Sequence, residues 1–114
     1  MQMSTTEMGD ALVVKVEETR IDAAVAVRFK DKMLEHTETT TKRIILDLEQ
    51  VEFLDSSGLG AVVGSMKQMG RGRRLDLVGL SPNVDKVFRM TRMDSVFRIF
   101  DDVESAVQDI AHAS

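Results

Sequence analysis

The sequence predicts an α/β fold: a single domain over residues 1–114, with a mixed, partly parallel β-sheet and about four helices. Short apolar segments with the two-residue period of strands alternate along the chain with segments of helical period. One of these segments, Ile44 to Leu46, is continuously apolar, as in strands that are covered on both faces. Because helical connections bring successive strands parallel, at least part of the sheet is expected to be parallel.

Four strands are predicted from these patterns, over residues 11–16, 43–48, 74–78 and 95–99. In the first of them Leu12, Val14 and Val16 share one face, which is typical of a half-buried strand. The second contains the continuous apolar run and is expected to lie inside the sheet.

Helices are predicted between the strands and after the last one. Asp22 is a candidate N-cap for a helix over residues 23–36. Ser81 followed by Pro82 is typical of an N-cap and the first helical position of a shorter helix. Asp101 and Asp102 cap a final helix, whose apolar residues recur at helical spacing: Val103, Ala106, Val107, Ile110 and Ala111.

The remaining helix, which follows the sequence Asp-Ser-Ser at residues 55–57, contains several glycines. A glycine inside a helix costs about 1 kcal/mol relative to alanine, so Gly58, Gly60 and Gly64 need a compensating reason. When residues are placed about 100° apart around the helix, the large apolar side chains share one arc. They are Leu59, Val62, Val63, Met66 and Met69, and they are expected to face the sheet.

The opposite arc holds mostly small residues: Ser57, Gly60, Ala61, Gly64 and Ser65, together with Lys67 and Gln68. This predicts a flat outward face on which another backbone can dock, with Asp55, Ser56 and Ser57 at its N-terminal edge. An alternative stays open at this point, because such residues also serve as plain caps and allow a helix to pack tightly on its own sheet.

Composition and charge argue against several classes of function. Without cysteine the chain has no disulfide framework or thiolate metal site. Its net charge of −4 and the absence of tryptophan and tyrosine make nucleic acid an unexpected partner. The polar N-terminus and the lack of a bilayer-length apolar run predict a cytoplasmic protein with no membrane partner. A nucleophile elbow and a phosphate-binding loop are missing, so we expect no enzyme activity, cofactor or metal.

The segment IILDLEQVEFLDSSGLGAVVGSMK, residues 44–67, resembles the signature of the STAS family and, within it, of bacterial anti-sigma factor antagonists. In that signature an apolar strand and a short acidic loop precede Asp-Ser-Ser/Thr-Gly-Leu-Gly at the start of a helix. The likeness continues through residues 73–107 and covers most of the chain from about Leu12 onward. It implies a STAS fold.

The resemblance also implies that the chain is a binding module of a partner switch. Unphosphorylated antagonists of the family bind an anti-sigma factor that is also an ATP-using serine kinase, and so release its sigma factor. The kinase then phosphorylates the serine that follows the aspartate, binding ends, and a PP2C-type phosphatase restores it. By position this serine is Ser56, and Ser57 corresponds to the cap.

A second contact region implied by the resemblance is the turn before the first helix, usually Gly-acidic-apolar-Asp. Here it reads Thr19-Arg20-Ile21-Asp22, so the aspartate is kept while one charge is reversed, which puts the identity of the partner in question. The predicted partner-binding residues are Asp22, Asp55, Ser56, Ser57, Gly58, Gly60, Ala61 and Gly64. The alternative function is a constitutive STAS scaffold, or an accessory subunit of a signalling or transport assembly, in which Ser56 is only structural.

Overall fold

In the computed structural model, which describes residues 1–70 and 72–109, three strands precede the first helix and each later α-helix follows one or two strands. The strands are β1 (Met3–Met8), β2 (Ala11–Val16), β3 (Arg20–Ile21), β4 (Arg43–Asp47), β5 (Phe53–Leu54), β6 (Leu75–Val78) and β7 (Ile99–Phe100). The α-helices are α1 (Ala26–Glu38), α2 (Ser56–Gln68), α3 (Pro82–Met90) and α4 (Val103–Gln108), and a 3₁₀ turn spans Met93–Ser95.

Five of the strands form one sheet in the order β1-β2-β4-β6-β7. The β1–β2 pair is antiparallel and the other three pairs are parallel. The remaining strands, β3 and β5, form a separate parallel pair. The α/β class, the mixed sheet and the four helices are therefore confirmed.

Each face of the sheet is covered by its own layer of helix. On one face Val14 and Leu46 pack in the main core with Phe29 of α1, Val62 of α2 and Phe88 of α3. On the other face a smaller cluster joins the sheet to α4, and its buried members are Ala11, Val13, Ile45, Val78 and Ala106. The continuous apolar run in β4 follows from this arrangement, because that strand is buried on both faces. The prediction that β2 is half-buried was wrong, since Ala11 and Val13 on its second face are buried in the cluster with α4.

An ion-pair network fastens the α4 side of the sheet. The carboxylate of Asp76, 1% exposed, lies 2.7 Å from Arg43 and 2.9 Å from Arg74. Arg43 also donates to the backbone oxygen of Ala106, and Arg74 lies 3.1 Å from Asp109 at the end of α4. These contacts tie the short last helix to two neighbouring strands.

Strands β1, β3 and β5 were not predicted, and one predicted strand was wrong. The polar strand β1 was not predicted, although it pairs with β2 along its whole length through a two-residue Gly9-Asp10 loop. Of the predicted strand 95–99, only Ile99 lies in β7: Ser95 ends a 3₁₀ turn, and residues 96–98 are irregular.

The first and last helices also differ from the predictions. Helix α1 begins at Ala26, three residues later than expected, since residues 23–25 form a turn. Helix α4 is capped by Asp102 as expected, while Ile110 and Ala111 lie outside the described residues. Within the part of the chain that the structure describes, no helix is long and apolar enough to cross a membrane.

Candidate docking surface

The small β3–β5 ribbon brings the two predicted contact regions together. Arg20 lies opposite Phe53, and Ile21 lies opposite Leu54. Because the strands are parallel, the chain leaves both of them at the same end. The turn of residues 22–25 and the start of α2 therefore lie side by side.

Asp55 is the N-cap of α2 and also contacts the neighbouring turn. Its Oδ1 accepts a hydrogen bond of 2.8 Å from the backbone N–H of Gly58, which satisfies one of the free amides of the first helical turn. Its Oδ2 accepts a bond of 3.2 Å from the backbone N–H of Ala23. One carboxylate thus joins two segments that are 32 residues apart.

Asp22 orders the turn and pairs with Arg20. Its Oδ1 accepts from the N–H of Ala24 at 3.1 Å, and its Oδ2 lies 3.3 Å from Nε of Arg20. The Arg20 guanidinium lies over the ring of Phe53, 4.4 Å from its centre, and the Arg20 side chain is 60% exposed. Asp22 does not cap α1 as predicted, because Val25 occupies the N-cap position without a side-chain bond.

Ser56 and Ser57 are the first two residues of α2, and both are exposed. Since Asp55 is the cap, the prediction that Ser57 caps the helix was wrong. The first N–H groups of a helix have no acceptors within the helix, and they give its N-terminus a partial positive charge. The Ser56 hydroxyl lies at this end of α2.

The glycines of α2 have three different environments. Gly60 is exposed, and a Cβ added there has nothing within 4 Å. Gly64 is half-buried beneath the Lys30 side chain of α1, whose Cε is 3.1 Å from such a Cβ. Gly58 is buried, and its Cβ would be only 1.9 Å from the backbone oxygen of Ile21. Gly60 is therefore the glycine that leaves the surface bare, whereas Gly58 allows α2 to approach β3.

The buried face of α2 differs from the prediction. It consists of Gly58, Ala61, Val62, Ser65 and Met69. Ala61 and Ser65, which were expected to point outward, are 2% and 1% exposed. Leu59, Val63 and Met66 lie half-buried at the edge of the core. The helix is thus rotated by roughly 80° from the predicted orientation, on the 100° spacing of helical residues.

From these positions we define the docking surface as Asp22, Ala23, Asp55, Ser56, Ser57 and Gly60. Gly58 and Ala61 support it from below and are not exposed on it. The contribution of Ala23 was missed in the sequence because it comes from a backbone amide, which leaves no side-chain signal. The Arg20–Phe53 contact was also missed, and only the pairing of β3 with β5 reveals it.

The docking surface is separate from the cavity of the structure, and the described residues include no candidate metal site. Within residues 1–70 and 72–109, no three His, Asp or Glu side chains are placed to hold a metal ion. A cavity of about 430 Å³ beside β7 is lined by Arg89, Phe97, Arg98 and neighbouring residues, and includes no member of the docking surface.

Comparison with known proteins gives one family and a set of relatives. The family model of the STAS domain matches residues 2–106. The anti-sigma-B factor antagonist of Staphylococcus aureus is 24% identical over 105 residues, which cover 91% of this chain and 96% of that protein.

Solved structures show the same fold. A Thermotoga maritima protein assigned as an anti-sigma factor antagonist matches with a TM-score of 0.82 and 25% identity, covering 96% of this chain and 94% of that one. The anti-sigma factor antagonist SpoIIAA in its unphosphorylated form matches with a TM-score of 0.75 and 23% identity, over 99% and 98% of the two chains. SpoIIAA of Bacillus in its phosphorylated form matches with a TM-score of 0.68 and 22% identity, covering 96% of this chain and 99% of that one.

Proposed function

The chain belongs to the STAS domain family, and from this premise we propose that it is an anti-sigma factor antagonist controlled by phosphorylation. In its unphosphorylated form it binds an anti-sigma factor that is also an ATP-using serine kinase, which then releases its sigma factor. Phosphorylation of Ser56 ends this binding. The chain itself has no catalytic role in this scheme.

The observation that carries the proposal is the position of Ser56 on the docking surface. Its hydroxyl is exposed at the first residue of α2, and the bare backbone of Gly60 lies one helical turn away. A partner can therefore approach α2 closely at the place where a kinase must reach the hydroxyl. The relatives support the proposal, because one is named an anti-sigma-B factor antagonist and another has been solved in a phosphorylated form.

The switching reaction is a phosphoryl transfer for which the kinase supplies the machinery. A bond forms between Oγ of Ser56 and the γ-phosphorus of ATP while the bond from that phosphorus to the β–γ bridging oxygen breaks and ADP leaves. The hydroxyl proton passes to a base of the kinase. A PP2C-type phosphatase reverses the modification by hydrolysis, which consumes water and yields inorganic phosphate.

The phosphate ends binding because it places charge in a closely packed interface. It adds about −1.5 to −2 charges at pH 7, next to the carboxylate of Asp55. Within the domain this charge is tolerated, since the amides at the start of α2 favour an anion. Against a partner packed on Gly60 the same group must be buried without a counter-charge, which costs several kcal/mol.

Binding to the kinase encoded in the same genomic neighbourhood tests this proposal. Isothermal titration calorimetry with ADP present prevents phosphorylation during the measurement. We expect Gly60→Leu to weaken binding more than about tenfold, because its side chain holds the partner away from α2. Lys86→Leu is the matched control, as it adds the same side chain at an exposed position of α3.

Two results would overturn the proposal. One is the absence of binding by the wild-type protein, and the other is equal affinity of the Gly60→Leu and Lys86→Leu variants. A protein that binds through this surface but keeps its affinity when Ser56 is phosphorylated would instead be a constitutive scaffold.

A further inference from the structure

We propose that Asp55 is a positioning residue that locks the 22–25 turn to the start of α2, and that phosphate on Ser56 loosens this lock. The inference rests on the proposed function, since it concerns how the two halves of the same docking surface are held together. It adds an internal change to the direct repulsion of the partner.

The geometry of one carboxylate carries the proposal. Oδ1 of Asp55 accepts from Gly58 in α2, and Oδ2 accepts from Ala23 in the turn, at 2.8 and 3.2 Å. Within residues 1–70 and 72–109, no other side-chain hydrogen bond joins this turn to α2. The other polar contacts of the turn do not reach α2: the N–H groups of Ala24 and Val25 donate to Asp22, Asp22 pairs with Arg20 of β3, and the backbone oxygen of Val25 accepts from Phe29 of α1.

Side-chain packing holds only one end of this turn, where Val25 is half-buried against the main core. Ala23 and Ala24 are exposed, and their side chains are single methyl groups. Helix α1 begins only at Ala26, behind an N-cap residue that makes no side-chain bond. Between Ile21, where β3 ends, and the core contact of Val25, the Asp55 bond is therefore what holds the Ala23 backbone beside α2.

A phosphate on Ser56 acts on this carboxylate from the adjacent residue. The two anions repel each other, and they compete for the free amides at the start of α2. When Asp55 moves away, the phosphate can accept hydrogen bonds from the amides at the start of α2. The N–H of Ala23 then loses its acceptor in the protein and bonds to water. Phosphorylation thereby releases the turn, while the N–H groups at the start of α2 keep hydrogen-bond acceptors.

The first test separates the two bonds of Asp55 by substitution. In Asp55→Asn the remaining carbonyl oxygen can still cap α2, while the side-chain amide group cannot accept from Ala23. Amide exchange with water is measured by NMR magnetisation transfer. We expect exchange at Ala23 to rise between about two- and tenfold, the range of one net hydrogen bond. Exchange at Gly58 and at Ala24, which is held by Asp22, stays unchanged.

Two further variants make the result specific. Asp55→Ser is also a good cap with a single accepting oxygen, so it gives the same pattern if the asparagine variant folds poorly. Asp102→Asn is the matched control, because Asp102 caps α4 through Ser105 and its side chain bonds to no second segment among residues 1–70 and 72–109. This variant should leave the amide exchange of Ala23 unchanged.

The second test uses protein carrying phosphoserine at position 56, introduced during translation so that no kinase is needed. The expected result is the same rise in exchange at Ala23. Unchanged exchange at Ala23, either in both Asp55 variants or in the phosphorylated protein, overturns the inference. Because no partner is present, these results are independent of kinase binding, and a failure of the proposed function is recognised separately by the calorimetry.

Discussion

Replacing Gly58 with alanine tests whether the close approach of α2 to β3 is required by the fold. An alanine inside a helix is ordinarily better than glycine by about 1 kcal/mol. At this position, however, its Cβ lies 1.9 Å from the oxygen and 2.8 Å from the carbon of the Ile21 carbonyl. Ordinary contacts begin near 3.4 Å, so helix and strand must separate by roughly 1.5 Å, and backbone cannot rotate away as a flexible side chain can.

The expected result is a net loss of about 2 kcal/mol in the free energy of unfolding: overpacking against backbone costs about 3 kcal/mol, the upper end of the usual range, and the helical preference of alanine offsets about 1 kcal/mol of it. Gly60→Ala is the control two residues along the same helix. Its Cβ meets nothing within 4 Å, so it should stabilise the protein by up to about 1 kcal/mol. Urea unfolding measures the free energy of unfolding of both variants. An unchanged slope of that free energy against urea concentration shows that the substitutions leave the unfolded state unaltered. Equal stability of the two variants would refute this account of Gly58.

Three other predictions concern the ion-pair network and the switch. Asp76→Ala leaves the Arg43 side chain, 9% exposed, without its carboxylate, so urea unfolding should show a loss of about 3–5 kcal/mol; a loss under about 1 kcal/mol would contradict the importance of this pair. The hydrogen bond from Arg74 holds the pKa of Asp109 below its usual range, so the stability that Asp109 contributes is complete above the unfolded pKa of about 3.9 and is lost as the pH falls through the lower folded pKa. Asp109→Asn should therefore flatten the fall of unfolding free energy in acid, and an unchanged slope would show that this pair is not responsible. Ser56→Asp should leave stability within about 0.5 kcal/mol, since an anion suits the start of α2, but it should weaken kinase binding in calorimetry, and full affinity would count against the switch.

The central part of the fold is readable from the sequence because it depends on local patterns. Leu12, Val14 and Val16 alternate in β2, and the apolar run in β4 marks a strand covered on both faces. Strand β1 lacks such a pattern, since nearly all of its side chains are exposed. Its signal was the Gly9-Asp10 pair, which forms the two-residue loop of the hairpin.

The orientation of α2 shows the limit of a helical wheel built on large apolar side chains. Ala61 and Ser65 are buried because their small size lets the helix lie close to its neighbours. The Ser65 hydroxyl is no obstacle, since it donates to the backbone oxygen of Ala61 at 2.8 Å. Small residues on a helix therefore mark two kinds of close approach, to the protein itself and to a partner, and the sequence alone does not separate them.

The geometry of the candidate docking surface was predicted only in part. The positions of Ser56 and Gly60 follow from helical periodicity and are exposed as expected. The bond from Ala23 to Asp55 and the contact of Gly58 with Ile21 depend on backbone groups far away in the sequence. Such contacts arise only when β3 and β5 pair, which no local pattern of these two-residue strands indicates.

The most direct test of the proposed switch is to incubate the purified protein with ATP, magnesium and the neighbouring serine kinase, and to map the product by mass spectrometry. The account predicts phosphate on Ser56, loss of kinase binding by the phosphorylated protein, no labelling of Ser56→Ala and normal labelling of Ser57→Ala. Tight binding without any phosphate, or phosphate on Ser56 that leaves the affinity unchanged, would contradict it.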